Sequence, residues 1–244
     1  MPETPPTTLE IWADIVCSWC YVGKRHLESA LEGFGEDDVE IVWRSFELDP
    51  HAESVRAAGE GPDHAELLAA KYAMSRAQAE AAIGSVTQAA AGEGLDFHLD
   101  VALRSNTFDA HRLIHLAGAR GLQGAVKERL MRAYFSEGAP VGDRDTLVRL
   151  AAEAGLDAAD VEKVLDTDEH AEAVRADEAE ARALGITGVP FFVVDRSYGV
   201  SGAQPADQLL AVLERAWSER APLTLVRGAG SGTDEACGPD GCPV

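Results

Sequence analysis

Leu9-Glu-Ile-Trp-Ala-Asp-Ile-Val-Cys17-Ser-Trp-Cys20-Tyr-Val-Gly23 is the stretch that decides how this chain folds. Leu9 to Val16 is rich in Ile, Val and Trp and lacks Gly and Pro, which suits a buried strand better than an alternating, half-exposed one. From Cys20 the period changes. Cys20, Leu27, Leu31 and Phe34 recur at helical spacing, with Lys24, Arg25, Glu28 and Glu32 between them. Two cysteines therefore stand where a strand ends and a helix begins. The first helical turn offers unsatisfied N–H groups and the positive end of the helix dipole, and both favour a thiolate. Cys17, at the tip, is the expected nucleophile, and Cys20, one turn in, is expected to resolve the mixed disulfide. The same C-x-x-C spacing also serves zinc half-sites and pairs of inert buried thiols.

A chain of 244 residues, 46% of them hydrophobic, can bury the core of one large domain or of a domain with an insertion. The 42 acidic residues outnumber the 21 basic ones, for a net charge of −21. Such a surface repels nucleic acid and anionic membranes, so neither is expected as a partner. The N-terminal Met-Pro-Glu-Thr-Pro-Pro has neither the basic nor the apolar region of a signal peptide. No apolar run approaches the length of about 18 residues that suggests a membrane span. Unless a leader has already been removed, the expected location is the cytoplasm. Four cysteines in that compartment read as redox or metal chemistry rather than as scaffold disulfides.

Further along, Val39 to Phe46 reads as a second strand ended by Asp49-Pro50, and Glu53 to Gly61 as a polar loop. Residues 63–184 are overwhelmingly helical in pattern. Ser75-x-x-Gln78 is a capping box opening a helix stopped by Gly92 and Gly94. Leu95 to Arg104 suggests a short extended piece. Asn106 or Thr107 can cap a helix carrying Phe108, Leu113 and Leu116, and another helix follows to Phe135. Asp143 and Asp157 open two more, and a charged helix from about Asp168 closes at Gly185. Val189 to Asp195 then returns to a strand headed by Pro190, followed by a turn, a short partner strand and a helix over Pro205–Trp217. Strands at both ends with helices between them fit an α/β fold with a helical insertion. The division is 1–50 with 185–220 for the sheet domain, 51–184 for the insertion and 221–244 for a tail that ends Cys237-Gly-Pro-Asp-Gly-Cys242-Pro-Val.

In combination, several stretches resemble the DsbA-like branch of the thioredoxin superfamily, and more narrowly its cytoplasmic FrnE-type members. They are Ile11 to Cys20, Arg44-Ser-Phe-Glu-Leu-Asp-Pro50, Ser105 to His115, Gly188 to Asp195 and Gly199-Val-Ser-Gly-Ala-Gln-Pro205. The resemblance implies a thioredoxin fold interrupted by a large helical domain and a thiol–disulfide oxidoreductase or isomerase that needs no cofactor. It also implies that Pro190 is the family's cis-proline, whose missing N–H cannot compete for the sulfur, leaving the backbone of Val189 free to pair with a substrate peptide. Substrates would be protein or small-thiol disulfides. One departure stands out: Trp19, not histidine, precedes the second cysteine, so a milder oxidant, a reductase or an isomerase is expected in place of a strong oxidase.

Ser18, Trp19, Phe108 and His111 are the remaining candidate substrate contacts. His111 and His115 lie four apart and could present two nitrogens to a metal, but no Glu follows the first, so they read as a polar stripe on the insertion facing the active-site groove. His26 reads as a solvated helix residue. Gly-Pro-Asp-Gly between Cys237 and Cys242 is suited to a tight turn, so this pair is expected to form a disulfide and to serve as an auxiliary redox couple. Two other function classes compete. Glutathione-dependent isomerases and transferases of the same fold typically place serine where Cys17 stands, and a metal-binding or biosynthetic accessory protein would use the thiols without turnover. Oligomeric state is not legible.

Overall fold

The computed structural model of the protein describes residues 6–34, 39–53 and 63–220. The first apolar run forms strand β1 (Thr7–Ala13), buried along almost its whole length. It has to be, because it has neighbours on both sides. It pairs in parallel with β2 (Val39–Ser45) and antiparallel with β3 (Phe191–Val194), which in turn pairs antiparallel with β4 (Tyr198–Ser201). The resulting order is β2-β1-β3-β4. Between β1 and β2 runs α1 (Ser18–Phe34), and all the other helices but the last lie between β2 and β3. The fold is therefore α/β, a small mixed sheet carrying a helical insertion.

Successive β1 side chains alternate between two cores. Leu9, Ile11 and Ala13 join a large cluster with Leu27 and Leu31 of α1 and with Leu209 and Leu213 of α9 (Ala206–Ser218). Trp12 turns the other way, onto Val193, Ile186 and Ala181 of α8 (Ala171–Ala183). On that second face Glu10 is buried yet matched: Arg44 Nε donates to it at 2.9 Å and Arg196 Nη2 at 2.6 Å. Asp177 of α8 accepts from the Ser45 backbone N–H at 2.8 Å, and its carbonyl accepts from Trp12 Nε1 at 2.9 Å. Thus α8, which the sequence pattern puts at the end of the insertion, packs on the sheet. A charged, amphipathic helix does not reveal in its sequence which core its apolar stripe covers.

The insertion continues the larger core and does not build a separate one. Leu113 and Leu116 of α4 (Phe108–Gly118), Leu130 and Met131 of α5 (Gln123–Phe135), Leu147 and Leu150 of α6 (Arg144–Glu153) and Val161 of α7 (Ala158–Asp166) belong to the cluster that begins at Leu9. Each such side chain, fully buried, contributes about 1.5–3 kcal/mol. Helices α2 (His64–Tyr72) and α3 (Arg76–Gly92) start with capping boxes, the second of them at Ser75 and Gln78. Thr107 occupies the cap position of α4 without a side-chain bond, and Asn106 Oδ1 accepts from Phe108 N–H at 2.9 Å instead.

Residues 95–104 contain no strand, although Leu95, Phe97 and Leu99 are all buried. Their period of two is genuine, but the described residues provide no strand for them to pair with. His98 N–H instead bonds the Phe135 carbonyl at 2.7 Å, and Phe97 stacks on Phe135 with ring centroids 4.5 Å apart. Tyr21, adjacent to Cys20, stacks on Phe97 at 5.9 Å and donates to Glu128 of α5 at 2.6 Å. This ties α1 to the insertion. His26 also differs from expectation: its Nδ1 lies 2.9 Å from the Gln204 carbonyl and its Nε2 3.4 Å from Glu93, so it bridges elements and is not a solvated surface residue.

Gly23 sits at a close approach. A β-carbon there would lie 3.2 Å from Pro190 Cγ and 3.3 Å from Ala203 Cβ, whereas one at Gly84 on α3 would meet nothing. Gly23→Val is expected to overpack this contact and destabilise the protein by about 1–3 kcal/mol. Gly84→Ala should instead gain up to about 1 kcal/mol from helix propensity. Thermal unfolding of the two variants, with shifts of opposite sign, checks this contact.

Candidate active site

Cys17 lies in the turn that leaves β1, its N–H bonded to the Asp14 carbonyl at 3.3 Å. Its own carbonyl accepts from Cys20 N–H at 3.0 Å and Tyr21 N–H at 3.3 Å, so it stands at the cap of α1. The first turn of that helix contains no acidic residue, so no carboxylate competes for its N-terminal N–H groups. Both cysteines are free thiols; Cys17 retains 8% exposure and Cys20 only 1%. Burial, reinforced by the adjacent Cys17 sulfur, pushes the Cys20 thiol well above its ordinary range. Ser18 is half-buried, and Trp19 between the thiols is 43% exposed.

Across from the thiols is the segment that enters β3. The Val189–Pro190 peptide bond is cis, and Cys17 Sγ is 3.6 Å from the Val189 carbonyl oxygen, to which it donates. Val189 is half-buried and Pro190 buried. The register explains this meeting. Trp12 of β1 pairs with Phe191 of β3, so the chain leaving one strand and the chain entering the other emerge at the same end of the sheet.

Two buried polar side chains, Asp14 and Lys127, belong to or touch the chain that leads from β1 into Cys17. Asp14 is fully buried, with Oδ2 accepting from Leu48 N–H at 2.8 Å and Oδ1 3.3 Å from His111 Nε2. Burial, the largest single influence, would raise this carboxyl, but His111 together with hydrogen bonds from Leu48 N–H and Thr107 outweighs it and holds Asp14 below the usual carboxylate range. Lys127 of α5 has no exposed surface, and its Nζ lies 3.4 Å from the Ala13 carbonyl and 4.8 Å from the centre of the Trp43 ring.

His111 and Phe108 are not placed as groove-lining contacts. His111 is 1% exposed and turned inward on Asp14, and His115 is turned onto Asp177 at 2.9 Å. A stripe at helical spacing can face inward as readily as outward when buried carboxylates await it. The Phe108 ring sits between guanidinium groups, with Arg175 4.3 Å and Arg112 5.8 Å from its centre. Asp14 and Lys127 were not singled out by the sequence reading. The available signal for Lys127 was a charge on an apolar helical stripe, between Val126 and Leu130, Met131 and Tyr134. Cys237 and Cys242 lie outside the described residues. Among the described residues, no group of three or more His, Cys, Asp or Glu side chains converges as a metal site requires, and no helix is long and apolar enough to cross a membrane.

Comparison with known proteins agrees with this architecture. A probable DsbA oxidoreductase from Streptomyces coelicolor superposes with a TM-score of 0.84 at 48% identity, over 98% of this chain and 99% of its own. The cytosolic disulfide reductase DsbM from Pseudomonas aeruginosa shares the fold, with a TM-score of 0.59 at 20% identity over 86% of this chain and 98% of its own. By sequence, the uncharacterized protein YwbO of Bacillus subtilis is 28% identical over 86% of this chain and 96% of its own length. The DSBA-like thioredoxin domain family matches residues 8–214, and this chain belongs to that family.

Proposed function

We propose that the protein is a protein-disulfide oxidoreductase working through the Cys17-Ser18-Trp19-Cys20 dithiol. The observation that carries this reading is the position of Cys17 Sγ, at the helix cap and 3.6 Å from the carbonyl that precedes Pro190, with a second, deeper thiol one turn into the helix. The Cys17 thiolate attacks one sulfur of a substrate disulfide, the substrate S–S bond breaks with its other sulfur leaving as a thiolate, and a mixed disulfide forms. Cys20 then attacks the Cys17 sulfur, the Cys17–Cys20 bond closes, and the substrate leaves as a thiolate. Val189 and the exposed Trp19 are the substrate contacts nearest this chemistry. Pro190 offers no N–H to compete for the incoming sulfur. Trp19, not histidine, precedes Cys20, which favours a milder oxidant, a reductase or an isomerase over a strong oxidase. Keeping a cysteine at position 17 favours this reading over a glutathione-dependent isomerase.

The test is a pair of variants. Cys20→Ser is expected to accumulate a mixed disulfide through Cys17, detected by mass spectrometry of the intact protein, and Cys17→Ser to abolish turnover. Adducts found on Cys20 and none on Cys17 would reverse the assignment.

The tail belongs to the same proposal: Cys237–Cys242 forms a disulfide that exchanges electrons with Cys17–Cys20. Its support is the turn-forming Gly-Pro-Asp-Gly between the two cysteines in the sequence. Truncation after Arg220 is expected to lower disulfide-reductase turnover and to slow peroxide oxidation of Cys17–Cys20. If both are unchanged, the exchange does not occur.

A further inference from the structure

The sheet edge formed by β2 is closed at two positions and open at a third. Strand β2 has β1 on one side only, and Ile41, Trp43 and Ser45 turn their backbone N–H and C=O groups to the other side. At Ser45 the N–H is taken by Asp177 Oδ2 at 2.8 Å. At Trp43 the Gln123 side chain stands in for a strand. Trp43 N–H donates to Gln123 Oε1 at 2.9 Å, and Gln123 Nε2 donates to the Trp43 carbonyl at 3.0 Å. At Ile41 no described residue takes either backbone group, and the side chain is 36% exposed.

Beside this opening lies a groove of about 310 Å³ lined by Ile41, Trp43, Gly118, Gly121, Gln123 and Gly124. That is the size of a small ligand site. No acidic residue lines it. Trp43 is only 5% exposed, yet its indole Nε1–H has no hydrogen-bond partner among the described residues. A buried donor left unmet is costly. Nε1 is the atom nearest to a β-carbon built on Gly124, at 4.0 Å, so the N–H edge of the ring faces the wall that Gly124 forms. Gly124 belongs to the first turn of α5, where Leu122 makes no side-chain cap and no acidic residue stands. The N–H groups of that turn are open too. Behind the indole, Lys127 Nζ lies 4.8 Å from the ring centre and adds positive charge. A β-carbon at Gly121 would meet nothing within 4 Å, so the floor of the groove is free. Unmet donors, the positive end of a helix and a buried cation call for a carboxylate.

Three occupants compete. A second copy of the chain would approach against a net charge of −21 on each partner. A free small carboxylate would use the donors but leave the Ile41 N–H and C=O unpaired. The end of a polypeptide uses both. We propose that this groove docks the C-terminal end of a partner polypeptide, which adds to β2 beside Ile41 as a short strand and sets its terminal carboxylate on Trp43 Nε1–H and the first turn of α5. Direction follows from this placement. Ile41 precedes Trp43 along β2, so a strand that ends at Trp43 runs parallel to β2. Its last side chain lies over Gly118 and Gly121 and is apolar. Exposed Glu40, next to Ile41, favours a basic residue further up the partner strand. Trp43 pairs with Ile11, short of the end of β1 that leads into Cys17, so the docked partner leaves the thiols uncovered. The site stands independently of the dithiol chemistry.

The probe is a dansylated hexapeptide, Lys-Thr-Val-Thr-Val-Leu with a free C-terminus, titrated with the full-length protein and followed by fluorescence anisotropy. Saturable one-to-one binding is expected. Converting the terminal carboxylate to an amide should weaken it by at least about tenfold, the scale of a lost hydrogen bond to a charged group. N-methylation of alternate peptide nitrogens, which blocks strand pairing, should weaken it by a similar factor. Acetyl-leucine, which has the carboxylate and the apolar side chain without the strand, should compete at least about tenfold less well than the unlabelled hexapeptide. Gly124→Leu fills the groove from a position that tolerates a β-carbon and should abolish binding. Trp43→Phe keeps the ring, loses the N–H and should cost about tenfold. No saturable binding up to about 1 mM peptide, equal binding of acid and amide, or binding unchanged by Gly124→Leu overturns the proposal. Acetyl-leucine competing as well as the hexapeptide, or no effect of N-methylation, also overturns it, in favour of a site for small carboxylates. The peptide comparisons use the wild-type protein and decide even if a variant fails to fold.

Discussion

The candidate site depends on one close contact, the N-terminal turn of α1 pressed against the segment that enters β3. Sheet order makes the contact possible, since β1 and β3 are antiparallel neighbours and their adjoining ends lie together. Gly23 helps to keep it close, since a β-carbon there would press on Pro190 and Ala203 at 3.2 and 3.3 Å. Cys17 Sγ then meets the Val189 carbonyl at 3.6 Å while remaining at the edge of solvent. Sheet, helix and loop thus converge on one sulfur, and a shift in any of them moves it.

The insertion is built into the same core as the sheet. From it α4 sends His111 onto Asp14, and α5 sends Lys127 onto the Ala13 carbonyl. Buried charged groups are expensive, and a fold seeking stability alone would replace them with apolar side chains of similar volume. On the opposite face of the sheet, Glu10, Arg44 and Asp177 form a buried network that fastens α8 and involves neither thiol. That network is structural in character. Its groups are matched donor to acceptor, whereas Lys127 is not.

Much of this was legible in the sequence, and the parts that were not have a common cause. The run from Leu9 to Val16 and the change of period at Cys20 located β1, α1 and the junction between them, because local spacing is enough to define a strand-to-helix junction, although β1 already ends at Ala13 and α1 begins at Ser18. Ser75, Asp143 and Asp157 marked helix starts for the same reason, each side chain capping backbone groups in the next turn. What failed depends on partners distant in the chain. Residues 95–104 alternate like a strand but find no strand to pair with, and their apolar side chains fill the aromatic cluster around Phe135. His111, His115 and His26 looked like surface or groove residues until the groups that claim them, Asp14, Asp177, Glu93 and Gln204, were brought near by the fold. Lys127 was hidden in the same way. A lysine on an apolar stripe is ordinary if its amine reaches water, and nothing local says that this one does not.

The central claim, that Cys17 and Cys20 form a reversible redox couple of moderate potential, is tested most directly by equilibrating the protein across glutathione redox buffers and measuring the fraction of Cys17–Cys20 disulfide. Strong oxidases of this superfamily reach about −120 mV because their reduced form is stabilised. Here Cys20 is held as a thiol by burial, and no histidine stands beside it in the motif. The expected result is a two-electron transition well below that value, in the range of about −200 to −270 mV occupied by glutaredoxins and thioredoxin. A potential near −120 mV would contradict the moderate character assigned to the site. Failure to form any Cys17–Cys20 disulfide across the buffers would contradict the redox couple itself.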